Sequence, residues 1–357
     1  MADDRQTPEA QDDDKPVPLE ATMPPEIASP LAPFVGKSPP YPEWFQKAIE
    51  RAPHRALVPV DGANIELLTW GERGKPGLIF VHGNSAHADW WSFICPFFAD
   101  DYRVAAISIS GMGGSDWRDS YSFEGFATEI WECAKAAGLY DAGKPIYVGH
   151  SFGGSQVYYS AAKYPERMRA ALLIDTGFGG PPSQAQMEQM IKEAQEKAKA
   201  AGEPPPNPAQ WQRGPNQSGR PNRIYKSLEE ALTRFRFMPP QVPGNLFVAD
   251  FIARRSLKRV PMPDGSGLGW TWKFDPQLWS KLDRSAMNEL GNENAAPMAH
   301  IYGDKSNVMK RSPGSNANSF IPASAPHIAI PDSEHHIMVD QPLALVASIR
   351  ALLTRWP

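Results

Sequence analysis

Two cysteines in 357 residues, Cys95 and Cys133, leave this chain without a disulfide framework. Both fall in segments that read as helices, where a buried free thiol is the plain expectation. No stretch approaches the roughly 20 consecutive apolar residues of a membrane-spanning helix. The first residues carry Asp3, Asp4 and Arg5 instead of a basic segment followed by an apolar one. A net excess of charge is also lacking: a formal net charge of −4 gives no broad basic surface for nucleic acid. There is no internal repeat, and no spaced set of Asp, Glu, His and Cys that reads as a metal centre. What remains is a soluble, cytoplasmic protein that binds neither nucleic acid nor membrane and holds no metal. Its oligomeric state cannot be read at this level.

The length suits one large α/β domain with an insertion. Residues 1–42 are rich in Pro, Asp and Glu and poor in large apolar side chains; residues 1–30 alone hold eight acidic and two basic residues. With little burial to offset backbone entropy, this segment is expected to be a flexible acidic tail. Short apolar runs then alternate with amphipathic stretches, as in a mostly parallel sheet covered by helices on both faces. Strands are predicted at 55–60, 64–70, 77–82, 103–109, 145–149, 169–174, 298–302 and 326–330, and helices near 89–99, 124–138, 152–163 and 342–354.

Between 178 and 290 the strand rhythm stops. A charged helix-like run from Gln184 to Ala201 is followed by a Pro, Asn and Gly-rich passage from Gly202 to Asn222, then by pieces rich in Phe and Trp. This stretch is expected to be a mostly helical cap that divides the core into 43–177 and 291–357. Residues 211–260 hold ten Lys or Arg against three Asp or Glu. A solvated face is the simple reading of that excess, and anion steering the sharper one.

Most of the chemistry sits in Pro145-Ile146-Tyr147-Val148-Gly149-His150-Ser151-Phe152-Gly153-Gly154. An apolar strand breaks on glycine and places Ser151 within G-x-S-x-G, before helix-compatible sequence. A nucleophilic serine at such a sharp strand-to-helix turn needs small neighbours two residues away on each side. A second strand ends in Val81-His82-Gly83-Asn84, and its loop can turn a backbone N–H towards a developing oxyanion. The N–H groups of Asn84 and Phe152 are therefore the expected oxyanion hole. His82 reads as a turn residue bonding backbone groups, and His87 as a loop histidine without a set task. Near the C-terminus, His335 and His336 lie between the last predicted strand and the last helix, where an imidazole can take and return the serine proton. Asp175 follows the strand Ala170-Ala171-Leu172-Leu173-Ile174 at the edge that faces the ligand crevice of an open α/β sheet.

Taken together, His82-Gly83, Trp90-Trp91, Ser110-Gly111-Met112-Gly113-Gly114-Ser115, Gly149 to Gly153 and His335 to Pro342 resemble the α/β-hydrolase superfamily, in its lipase, esterase and C–C hydrolase branch. The resemblance covers about 50–177 and 295–357. It implies an eight-stranded, mostly parallel sheet, a cap after the sixth strand, and no cofactor. It also favours His335 over His336, because His335 stands seven residues before Pro342. The acid's usual place in the family is filled by Ser306 in Gly303-Asp304-Lys305-Ser306, so a carboxylate must come from elsewhere. Some relatives carry it after the sixth strand, which favours Asp175; Asp304 is the second choice, with Ser306 and Asp304 as support to the acid site. Ser108 likewise stands where many members have a largely structural Asp. Haloalkane dehalogenases and epoxide hydrolases resemble the chain at His82-Gly83-Asn84, but they attack with a carboxylate, a role Ser151 cannot fill.

The expected activity is cleavage of a carboxylic ester, carrying apolar or aromatic groups, through an acyl-enzyme on Ser151 with His335 and Asp175. Three alternatives stay open. One is a C–C bond hydrolase, if Arg223, Arg234 or Arg236 turns inward to hold a substrate carboxylate. The others are lyase or cofactor-free oxygenase chemistry, and a degenerate binding module.

Overall fold

A computed structural model describes residues 23–177, 192, 221–290, 295–310, 321–322 and 324–356. The principal sheet has eight strands in the order β1-β2-β4-β3-β6-β7-β11-β12. These are β1 His54–Val60, β2 Ala63–Trp70, β3 Gly77–Val81, β4 Arg103–Ser108, β6 Ile146–His150, β7 Ala170–Ile174, β11 Met298–Gly303 and β12 His327–Ile330. Only the β1–β2 and β2–β4 pairings are antiparallel. All eight predicted strands are present within a residue or two at each end. Smaller pairings are β5 Tyr121–Ser122 with β10 Leu282–Asp283, and the hairpin β8 Leu257–Pro261 with β9 Leu268–Trp272.

The central strands are apolar along their whole length because both faces are covered. Successive side chains point to opposite sides. Leu78 and Phe80 join one buried layer, with Leu345 and Ile349 and with Phe235, Phe237 and Phe251 of the insertion. Ile79 and Val81 join the other, with Phe126, Ile130 and Val157. The helices Phe123–Ala136, Phe152–Lys163 and Pro342–Leu353 lie where the sequence predicts them.

The helix predicted at 89–99 is instead two short 3-10 turns, Ala88–Trp91 and Cys95–Phe97. Pro96 has no N–H for a continuing ladder, and its ring disfavours an α-helical preceding turn. Cys95 and Cys133 are both buried free thiols. Residues 1–22 of the expected tail lie outside the described residues. Residues 23–42, by contrast, lie on the domain: Leu31 is in the core and Arg254 donates to the Gly36 carbonyl at 2.6 Å. The run Gln184–Ala201, apart from Lys192, and residues 202–220 of the Pro-rich passage fall outside the described residues as well. In the rest of the insertion, the helices Leu228–Leu232 and Leu246–Arg255 are followed by the β8–β9 hairpin, which periodicity alone did not reveal.

Candidate active site

Sheet register brings the site together. In the parallel pair β6–β7, His150 faces Ile174, so the next residue of each strand, Ser151 and Asp175, emerges side by side at the C-terminal edge. Both leave their strands through positive φ, 53° at Ser151 and 43° at Asp175, a region costly for residues with a side chain. The Ser151 N–H donates to the Ile174 carbonyl at 3.0 Å and the Asp175 N–H to the Ile301 carbonyl at 2.7 Å, which fixes the two turns. Glycine is required around them. A Cβ at Gly149 would lie 2.5 Å from the Gly153 oxygen, and one at Gly153 would lie 2.3 Å from the His82 oxygen.

His335 arrives from the loop after β12. Its Nε2 lies 2.9 Å from Ser151 Oγ, and its Nδ1 lies 3.1 Å from Asp175 Oδ2. Gly303, at the end of β11, permits this approach, since a Cβ there would sit 2.4 Å from the carbonyl oxygens of Ser333 and Glu334. Burial pushes His335 down to about 3, so the ring is neutral and Nε2 can accept a proton. Burial pushes Asp175 up to about 7, opposed by the neighbouring Ser306 hydroxyl and by His150. Ser306 thus adjoins the carboxylate, although Ser306 Oγ and Asp175 Oδ1 have no hydrogen-bond partner among the described residues. Asp304 does not reach the imidazole; its Oδ1 accepts the Ser333 N–H at 3.2 Å and braces the histidine loop instead.

The β3 loop passes close to the serine: a Cβ at Gly83 would be 3.3 Å from Ser151 Cβ. Neither the Asn84 nor the Phe152 N–H has an acceptor among the described residues, which leaves both available to a ligand. His82 is fully buried, with Nε2 accepting the Ile109 N–H and Nδ1 2.7 Å from the Gly83 carbonyl. Both ring nitrogens are thereby committed to backbone, and burial lowers its pKa to about 4. His87 has a task after all: its Nε2 lies 2.9 Å from Ser256 Oγ, joining the β3 loop to the insertion.

Four contributors escaped the sequence reading. The His150 Nε2 lies 3.0 Å from the His335 carbonyl oxygen and its ring packs at 4.8 Å from that of His335, holding the loop from beneath. Asp340 accepts from the Glu334 N–H at 2.8 Å, the Gly244 N–H at 3.1 Å and Gln241 Nε2 at 3.1 Å. Gln241 Oε1 in turn accepts from the His336 N–H at 2.9 Å, so the insertion is tied to the loop that carries His335. Glu66 explains the serine at 108. Its Oε2 accepts from Ser108 Oγ at 2.6 Å and from the Gly114 N–H at 2.9 Å, placing a carboxylate in the turn from the neighbouring strand. Only Ser108, standing where many family members have Asp, hinted at a missing partner, and nothing marked β2 as its source.

Of the three arginines considered for a substrate carboxylate, two face solvent and Arg236 is half-buried. Arg223 is largely exposed and pairs with Glu230 at 3.1 Å, and Arg234 is exposed. Among the described residues, no group of three or more His, Cys, Asp or Glu could hold a metal ion, and no helix is long and apolar enough to cross a membrane.

Residues 76–342 match the family described as alpha/beta hydrolase fold. Among curated proteins, epoxide hydrolase 4 of Homo sapiens is 28% identical over 117 residues, covering 32% of each chain. The bifunctional esterase/perhydrolase of Acinetobacter calcoaceticus is 33% identical over 118 residues, covering 32% of this chain and 41% of that protein. The chain therefore spans only about a third to two fifths of these relatives' length. A thioesterase domain from the curacin biosynthetic pathway superposes with a TM-score of 0.62 at 20% identity, covering 84% of this chain and 99% of that one. At that identity the likeness concerns the fold.

Proposed function

The chain belongs to the alpha/beta hydrolase fold family, and from that premise we propose that it is a serine hydrolase that cleaves carboxylic esters through an acyl-enzyme. The observation that carries this reading is the continuous chain from Ser151 Oγ to His335 Nε2 at 2.9 Å and from His335 Nδ1 to Asp175 Oδ2 at 3.1 Å.

In the proposed reaction Ser151 Oγ attacks the ester carbonyl carbon while its proton passes to His335 Nε2. The carbonyl electron pair moves onto oxygen, held by the N–H groups of Asn84 and Phe152. Collapse of the tetrahedral intermediate breaks the bond to the alcohol, which leaves with the proton from Nε2. Water then repeats the sequence on the acyl-enzyme and releases the acid. Asp175 keeps the Nδ1–H tautomer and stabilises the imidazolium formed in each half.

Serine in place of an attacking carboxylate argues against the chemistry named for the human relative, and the esterase named in Acinetobacter accords with an ester substrate. Asp175 and Glu66 make good the two acids missing at Ser306 and Ser108, which weakens the degenerate-module alternative. The exposed, ion-paired Arg223 removes one support for the C–C hydrolase.

Treatment with a fluorophosphonate, followed by mass spectrometry, tests the proposal. One adduct per chain on Ser151, together with hydrolysis of 4-nitrophenyl esters that disappears in Ser151→Ala, is the expected result. Folded protein that takes no adduct, or turnover that survives Ser151→Ala, overturns it.

A further inference from the structure

Arg284 stands apart from the other arginines. Its side chain is half-buried, yet among the described residues the guanidinium makes no hydrogen bond and no ion pair. Several basic side chains of the insertion are paired: Arg223 with Glu230, Arg254 with Asp250, Arg255 with Asp89 and Lys281 with Asp275. Asp283, the acid next to it in sequence, turns away to accept the Ser285 N–H at 2.9 Å. Burial without an opposing charge lowers the guanidinium pKa from its ordinary value. A partly desolvated cation with no counter-ion is a net cost to the folded state, unless a ligand supplies the missing charge.

Its cation–π contact shows where that ligand would lie. The guanidinium carbon sits 4.7 Å from the centre of the Trp279 ring. Trp279 packs in turn 4.9 Å from Phe152, the residue after Ser151 and a proposed oxyanion donor. Two ring contacts therefore separate the cation from the nucleophile. Stacking on an aromatic face uses only the flat side of a guanidinium; its in-plane N–H edge stays free for the bidentate geometry of a carboxylate. The platform is anchored: Leu278 is buried, β10 pairs with β5, and Asp275 Oδ2 holds both the Tyr121 hydroxyl and Lys281 at 2.8 Å.

We propose that Arg284 and Trp279 form an anion-recognition subsite that selects ester substrates bearing a carboxylate. The proposal rests on the esterase reading above for its substrate class, but the subsite itself does not depend on Ser151 being the nucleophile.

The test compares 4-nitrophenyl hydrogen glutarate with uncharged 4-nitrophenyl pentanoate, in the wild type and in Arg284→Gln and Arg284→Lys. A charge-assisted pair at this site predicts a kcat/KM ratio of charged over uncharged ester that falls about tenfold or more in Arg284→Gln. Arg284→Lys keeps part of the preference, and the wild-type ratio declines as NaCl is raised. An unchanged ratio, or equal losses on both esters, overturns the subsite and assigns Arg284 a packing role. Should Arg284→Gln not fold, the wild type still decides: a ratio near one that ignores salt refutes the proposal. Calorimetric titration of Ser151→Ala with glutarate, with and without Arg284→Gln, separates the two readings. Binding lost only with the arginine, where the wild type hydrolyses neither ester, sinks the esterase and keeps the subsite. Hydrolysis without charge preference does the reverse.

Discussion

Replacing Asp175 by Asn removes one charge from a buried pair while leaving its shape nearly intact. The carboxylate faces His335 Nδ1 at 3.1 Å, and both side chains are almost fully buried. At a separation of charge centres of about 4 Å and an effective dielectric near 20, an imidazolium and a carboxylate attract by about 4 kcal/mol. His335 is neutral at rest and charged only as the proton leaves Ser151, so this attraction belongs to the transition state. Its loss corresponds to about a thousandfold drop in kcat/KM. The amide adds a second penalty whenever its NH2 faces the ring nitrogen and favours the wrong tautomer. Initial rates with 4-nitrophenyl acetate at pH 8, on protein shown to be folded by circular dichroism, measure the effect. Asp304→Asn is the control, because Asp304 only braces the Ser333 N–H; its loss is expected to stay within about threefold, as befits a hydrogen bond remote from the chemistry. A loss of less than tenfold at Asp175, or an equal loss at Asp304, refutes the assignment of the acid.

Gly303→Ala drives a methyl into the Ser333 and Glu334 carbonyls, so activity is expected to fall at least about tenfold through displacement of His335 while the protein stays folded; wild-type rates would show that the loop adapts freely. Asp340→Ala leaves the Glu334 and Gly244 N–H groups without their acceptor. A loss of about 2–4 kcal/mol in urea unfolding is expected, and a loss under 0.5 kcal/mol would deny Asp340 its bracing role. Acid should destabilise the fold. His82 and His300 are pushed down to about 4, and His87 and His150 to about 3, all by burial. The unfolded chain takes up protons near pH 6.5 that the folded chain refuses, so their stabilisation is full above 6.5 and lost as pH falls, by up to about 1.4 kcal/mol per histidine per unit. Asp175, raised to about 7, works in the opposite sense over the same interval. The net expectation is a fall of at least about 3 kcal/mol in unfolding free energy from pH 7.5 to 5.5, and a flat profile contradicts it.

The strand series was legible because apolar runs of four to seven residues between turn signals have few other readings. Ser151, His335 and Asp175 were legible for a related reason. Each stands immediately beyond a strand or between the last strand and the last helix, and parallel register converts those positions into neighbours. The helix expected at 89–99 failed because its apolar content resembled a helical face, whereas Pro96 decided the backbone. Glu66, His150, Asp340 and Gln241 were not legible, since each acts through partners 42 or more residues away, the local bond of Asp340 to the Glu334 N–H apart. Their chemistry depends on register and docking, which no local pattern encodes. The unpaired state of Arg284 is a property of its surroundings and has no signature in the residues beside it.

With the proposed acid set directly on the end of β7, the proposed mechanism asks nothing chemical of the turn after β11. Ser306 keeps a supporting hydroxyl there, but Asn307 and Val308 carry no part of the proton path. An engineer seeking new selectivity can therefore randomise 307 and 308 without dismantling the machinery, a freedom denied wherever the acid itself rides on that turn.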